Sequence, residues 1–264
     1  MKQLFLASLI LCLLTACQKQ ETADTIFMNG NIYTVNEKQP RAEAIAVKDG
    51  RILAVGSNAD IEKLKGDNTE VIDLEGNFAM PGFIEGHGHF SGLGQSLMNL
   101  NFLKSRSWEE IVAMVAEKAK TAKPGEWIIG RGWHQEKWET PLDKQVLGYP
   151  YHDALSAVSP NNPVLLRHAS GHGLFANAKA MEIAGVSKET PNPRGGEIVR
   201  DSRGEAIGVF EERAMAVINE AYQAYRDSLS EAERKAEWLK GIELAEQECL
   251  SKGVTSFQDA GSSQ

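Results

Sequence analysis

After Pro81 the chain alternates short apolar runs with amphipathic helical periods, and this alternation restricts its fold more than any other feature. Strands separated by helices point to a parallel α/β domain, because a parallel strand is reached only through a crossover, usually a helix. Four runs read as buried strands: 83 to 89, 127 to 131, 163 to 168 and 254 to 258. Four is half of a closed eight-stranded barrel. An open flavodoxin-like sheet is the structural alternative, but it calls for a glycine-rich phosphate loop after its first strand, and none follows here.

The connecting segments carry their own signals. A Gly-rich loop is expected after the first strand, then Ser107-Trp108-Glu109-Glu110 is a capping box opening a helix with Trp108, Ile111, Val112, Val115 and Ala119 on one face. Asn177 opens a second helix that ends near Gly185. The stretch GGEIVRDSRGEAIGVFEE reads as an inserted hairpin turning at Ser202 to Gly204. Two helices follow, the second opened by Ser230 and Glu233, with Trp238, Ile242, Ala245 and Cys249 lining one face. Before Pro81, residues 25–80 read as a small β-sandwich-type domain with one short helix, NADIEKLKG. Its Asp49-Gly50 pair is a strong hairpin signal, since both residues tolerate positive φ.

The N-terminus is of a different kind. Residues 1–17 hold Lys2, an apolar stretch from Leu4 to Leu14, and small residues before Cys17. The apolar stretch is too short for a spanning helix. Leu14-Thr15-Ala16-Cys17 resembles the lipobox of bacterial lipoproteins, which implies cleavage before Cys17 and its acylation; a plain secretory signal is the alternative. Residues 18–24 then form a polar tether, and the expected location is outside the cytoplasm, lipid-anchored and facing the periplasm. With Cys12 removed and Cys17 lipidated, Cys249 has no partner, so the fold holds without disulfides and Cys249 reads as a small buried hydrophobe. A net charge of −8 without a basic stripe argues against nucleic acid as a partner.

Within the first strand lies His87-Gly88-His89. Residues i and i+2 of a strand project to one face, about 6 to 7 Å apart at the backbone. Two neutral imidazoles so placed suit zinc and similar metals. The tripeptide alone is weak evidence.

Its context is stronger. Pro81-Gly82-Phe83-Ile84-Glu85-Gly86-His87-Gly88-His89 resembles the barrel entry of the metal-dependent amidohydrolase superfamily, with Glu85 where Asp is usual. The stretches GEWIIGRGW, HASGHGLFANAKAMEIAGV, PNPRGGEIVRDSRGEAIGVFEERAM and GVTSFQDAG are similar to successive signatures of its amidohydrolase-3, or YtcJ-like, branch. The resemblance runs from about Thr25 to the last residue. It implies a (β/α)8 barrel of which residues 81–264 supply the N-terminal half, and hydrolysis of a C–N bond in a small amide or N-substituted formamide. One or two divalent metals, zinc foremost, would activate water, with His87 and His89 as the first two ligands.

Other residues are assigned by the same resemblance. Glu212 is either a metal ligand, a neighbour of one, or an acid in a helix's first turn favouring the dipole. His172, Trp133 and Asp259 are candidate substrate contacts, with a loop histidine, a packed tryptophan and a turn cap as their structural counterparts. His134, His152 and His168 read as structural or exposed. The resemblance places the general-acid Asp and the remaining ligands beyond Gln264, so the chain reads as a truncated, by itself inactive enzyme awaiting a missing C-terminal half or a homo-oligomer. A membrane-anchored binding or assembly module without catalysis is the alternative from another class, and a heterocycle deaminase the alternative enzyme.

Overall fold

The computed structural model describes residues 21–261; the predicted signal, the lipobox and Cys17 lie outside them. The chain divides after Phe83 into two compact units. The first contains β1 (Thr25–Met28), β2 (Asn31–Tyr33), β3 (Arg41–Ala42), β4 (Ala44–Lys48), β5 (Arg51–Gly56), α1 (Asn58–Glu62), β6 (Glu70–Asp73) and β7 (Phe78–Ala79). They form a four-stranded sheet in the order β5-β4-β1-β6 and a three-stranded sheet in the order β3-β2-β7. Asp49 and Gly50 have φ of 49° and 71°, and Lys48 pairs with Arg51, so the predicted hairpin forms as a tight turn with two left-handed residues. Ser57 caps α1 by accepting from the Asp60 N–H, and Ile61 then packs with Ile26, Ala44 and Ala46 in a small core.

The second unit runs through β8 (Phe83–Gly88), α2 (Phe90–Met98), β9 (Leu100–Asn101), α3 (Trp108–Ala119), β10 (Ile128–Trp133), β11 (Gln145–Val146) and β12 (Tyr149–Pro150). It continues through α4 (Asp153–Val158), β13 (Val164–His168), β14 (Gly173–Ala176), α5 (Ala178–Ile183), β15 (Gly196–Arg200) and β16 (Ala206–Glu212). Two long helices, α6 (Met215–Ser228) and α7 (Glu231–Ser251), lead to β17 (Val254–Asp259).

The four predicted strands do not share one sheet. Those at 127 to 131 and 163 to 168 lie in a six-stranded sheet ordered β15-β16-β14-β13-β10-β9, whereas β8 and β17 pair with each other in a separate two-stranded sheet. The six-stranded sheet is parallel only through β9, β10 and β13. Beyond β13 it grows by antiparallel pairing: β14 returns directly on β13, β16 lies on β14, and β15 on β16. The reason is local. Gly173–Ala176 is a fully buried apolar strand only a few residues after β13, too close for a crossover helix. The predicted hairpin at Ser202 to Gly204 is the β15–β16 pair, with the Gly204 N–H donating to the Asp201 carbonyl.

Buried Asn177 fastens the edge of this layer. Its carbonyl oxygen accepts from the N–H groups of Val164 and Ala180, and its amide donates to the Ser159 carbonyl and hydroxyl and the Asn162 carbonyl. It therefore caps α5 and ties β13 to the loop before it. Trp108, Ile111 and Val115 of α3 are buried against the sheet, as their spacing predicts.

The expected Gly-rich loop after the first strand is instead helix α2. A Cβ on Gly94 would lie 2.1 Å from the Gly241 carbonyl oxygen, so the glycines let α2 and α7 meet backbone to backbone. Along α7, Gly241 and Ala245 are buried and Ile242 is half-buried, while Trp238, expected to share their face, is 51% exposed. Cys249 is half-buried rather than buried. Among the described residues no helix is long and apolar enough to cross a membrane. Gly94→Ala is expected to lower stability by about 1–3 kcal/mol in urea denaturation through overpacking. Gly86→Ala, whose added Cβ meets nothing within 4 Å, is the control and should leave the midpoint nearly unchanged; equal midpoints for the two would dismiss the helix contact.

Candidate metal centre and polar cluster

The strand carrying the two histidines ends one residue earlier than its sequence suggests. His87 is on β8, but His89 occupies the N-cap position of α2, with φ −124° and ψ 87°. Their rings remain neighbours, with centroids 6.0 Å apart and planes at 80°. The two rings would offer adjacent nitrogen donors to a zinc-class ion. Both side chains are exposed, and the Glu85 carboxylate accepts the His87 backbone N–H at 3.1 Å, steadying the strand end.

β17 brings Asp259 to the same end. The Ala260 N–H donates to the Gly88 carbonyl at 2.7 Å, and Phe257 packs edge-on to Phe90 with centroids 5.1 Å apart. The Asp259 carboxylate accepts the Gly261 N–H at 2.9 Å, which is the turn-capping role among its expected ones. Two imidazoles are the right donor type for a zinc-class ion. Among the described residues, however, no group of three or more His, Cys, Asp or Glu side chains is arranged to hold a metal.

Glu212 does not join the two histidines in such a group. It ends β16 rather than opening a helix, and its backbone has φ of 50°, a left-handed conformation uncommon for a residue other than glycine. Its N–H donates to the His172 carbonyl at 2.9 Å, and its carboxylate meets His172 Nδ1 at 3.1 Å. Two residues expected separately are thus one exposed pair. Trp133 takes its structural role: it is 1% exposed, donates from Nε1 to the Leu166 carbonyl at 2.8 Å and packs against Phe175.

A network that the sequence does not reveal surrounds this tryptophan. His168 stands edge-on to Trp133, with centroids 4.5 Å apart, and bonds Ser170 Oγ through Nδ1 and Gln135 Oε1 through Nε2. The His134 ring lies 4.6 Å from it. Tyr149 donates to the Glu211 carboxylate at 2.6 Å, and burial, followed by that carboxylate, pushes its hydroxyl up to about 12. The only sequence trace of this network is the position of His134 and His168 at the ends of two apolar runs; Gln135 adjoins His134, while the partners Tyr149 and Glu211 come from two other segments.

Three comparisons with known proteins bear on this arrangement. The Amidohydrolase family profile matches residues 70–264. The Bacillus subtilis (strain 168) protein described as an amidohydrolase, YtcJ, is 35% identical over 233 residues, covering 86% of this chain and 42% of its own. The N-substituted formamide deformylase of Arthrobacter pascens is 30% identical over 242 residues, covering 90% and 42%. A crystal structure of an uncharacterized metal-dependent hydrolase from Pyrococcus furiosus shares the fold over 88% of this chain and 43% of that one, at TM-score 0.58 and 24% identity. The likeness to that structure is one of fold. The chain belongs to the amidohydrolase family, and it spans about two fifths of the length of these relatives.

The buried imidazoles give a pH dependence. Burial, foremost, lowers the pKa of both His168 and His152. The unfolded chain therefore takes up protons first, and stability present above about pH 6.5 is lost as the pH falls through the lower folded values. The denaturation midpoint should drop between pH 7.5 and 5, and His168→Gln should flatten that drop. An unchanged acid response in His168→Gln would remove His168 as a source.

Proposed function

We propose that this chain contributes the metal-holding entry strand of a hydrolase that cleaves carbon–nitrogen bonds in small amides or N-substituted formamides. The observation that carries the reading is the His87–His89 pair, two imidazoles held side by side at a strand end in a chain of the amidohydrolase family. The 30% identity to an N-substituted formamide deformylase supports the substrate class. When bound, one or two zinc-class ions would polarise the substrate carbonyl and lower the pKa of water.

The chain's own residues do the rest. His87 and His89 offer neutral nitrogen donors, and Glu85 and Asp259 place carboxylates at the same strand ends. In the six-stranded sheet, the Glu212 carboxylate stands 3.1 Å from His172 Nδ1 and orients that ring. The proposed setting is a bacterial membrane, with the protein anchored by lipid on Cys17 and facing the periplasm.

A second reading, a membrane-anchored assembly module, is favoured by one observation: Phe83 and Ile84, on the histidine strand, are 55% and 69% exposed. Zinc titration of the metal-stripped protein, with a parallel assay of formate release from a simple N-substituted formamide, separates the two. Wild type is expected to bind zinc at least about tenfold more tightly than His87→Ala/His89→Ala, a difference of about 1.4 kcal/mol. Equal zinc affinity in the double variant would overturn the metal assignment and favour the assembly module, whereas zinc binding without formate release fits a chain that supplies only part of the centre.

A further inference from the structure

His89 opens onto a groove of about 800 Å³ between α2 and the α6–α7 corner. That volume is in the range of small-molecule sites, about 300–1,000 Å³. Its walls are fixed, because Gly94 and Gly241 hold α2 and α7 in backbone contact beneath it.

The charge of this groove departs from that of the chain. The protein carries −8 overall, yet Arg226, Arg234 and Lys235 face two carboxylates here, Glu231 and Glu237. Glu237 is already paired with Arg226. Arg234 is held at the corner by donating one Nη1 hydrogen bond to the Leu229 carbonyl, which leaves the rest of its guanidinium available. Lys235 makes no ion pair or hydrogen bond among the described residues. The half-exposed Trp238 adds a flat apolar wall.

Given the reading of His89 as a metal ligand, the geometry points to a substrate with a carboxylate at its non-scissile end: Arg234 and Lys235 bind the carboxylate, and Trp238 packs against the apolar part beside it. A guanidinium and an ammonium gain from a carboxylate through charge-assisted hydrogen bonds, and an aromatic wall adds contact with a ring. An amide without that charge gains only the second. The groove therefore sets substrate class by charge, on a wall separate from the metal donors.

Isothermal titration of the metal-stripped full chain tests this without turnover. The probes are N-acetylphenylalanine and its uncharged relative, N-acetylphenylalaninamide. The carboxylate is expected to bind at least about tenfold more tightly, with the preference falling as salt rises. Arg234→Gln and Lys235→Gln should each reduce the preference, and the double variant should abolish it with an unchanged circular dichroism spectrum. Lys235→Gln alone keeps the test sound if Arg234→Gln loosens the corner. Equal affinity for the two probes, no binding of either, or a preference intact in the variants would overturn the proposal. Because zinc is absent, none of these results depends on the zinc titration: the groove can fail while the metal assignment stands, and the reverse.

Discussion

The pairing of β8 with β17 is the constraint on which the histidine site depends. These strands are separated by the whole six-stranded sheet in sequence, and they meet because two helices bring their ends together. Gly94 and Gly241 allow α2 and α7 to touch at the backbone, and the Ala260 N–H closes on the Gly88 carbonyl at the far end. Contacts this distant in sequence incur a large loop-closure cost. That cost is met within the intervening segment, whose sheet and buried core form around Trp133, Phe175 and Leu166. The inserted sheet thus acts as a folded clamp between the strand that carries the histidines and the strand that backs it.

Much of this was legible in the sequence, and the illegible part has a common cause. Turn and cap signals are local chemistry: Asp49-Gly50, Ser107, Asn177 and the Ser230–Glu233 capping box all appear where their residues place them. Strand partners are not local. A run such as Val164–Leu166 is apolar on both faces whether its neighbours are parallel or antiparallel, so the four runs read equally well as a barrel half or as members of two sheets, and the expected burial holds for β10 and β13 but not for β8 and β17, which are largely exposed. The glycines of α2 show the same limit. Glycine lowers helix propensity by about 1 kcal/mol, which reads as a loop, but at Gly94 tertiary contact outweighs propensity. The apolar face of α7 was read correctly at Ala245 but missed Gly241 for the same reason: with no side chain to register as hydrophobic, it is the helix's closest contact with α2.

The site residues divide along similar lines. His87 and His89 were legible because their pairing is a matter of two-residue spacing. His172 and Glu212 were each identifiable, but their union was not, since it depends on β14 and β16 lying side by side and on a left-handed backbone at Glu212. An unfavourable conformation of this kind costs roughly 1 kcal/mol or more. Two contacts to His172 hold it, one from the backbone and one from the carboxylate. The network of His134, His168, Tyr149 and Glu211 is more remote still from any motif, because its members come from β10, β12, β13 and β16 and converge only at one end of the sheet.

The placement of His89 also limits what can complete the metal centre. It stands at the N-cap of α2, a helix with no acidic residue in its first turn and no side-chain cap. The positive end of that helix dipole therefore lies beside His89. A cation is disfavoured there unless negative groups outweigh both the dipole and the neutral imidazoles, which bring no charge of their own. Glu85 and Asp259 lie at the same strand ends, but each already accepts a backbone N–H. Carboxylates among the remaining ligands would offset that field.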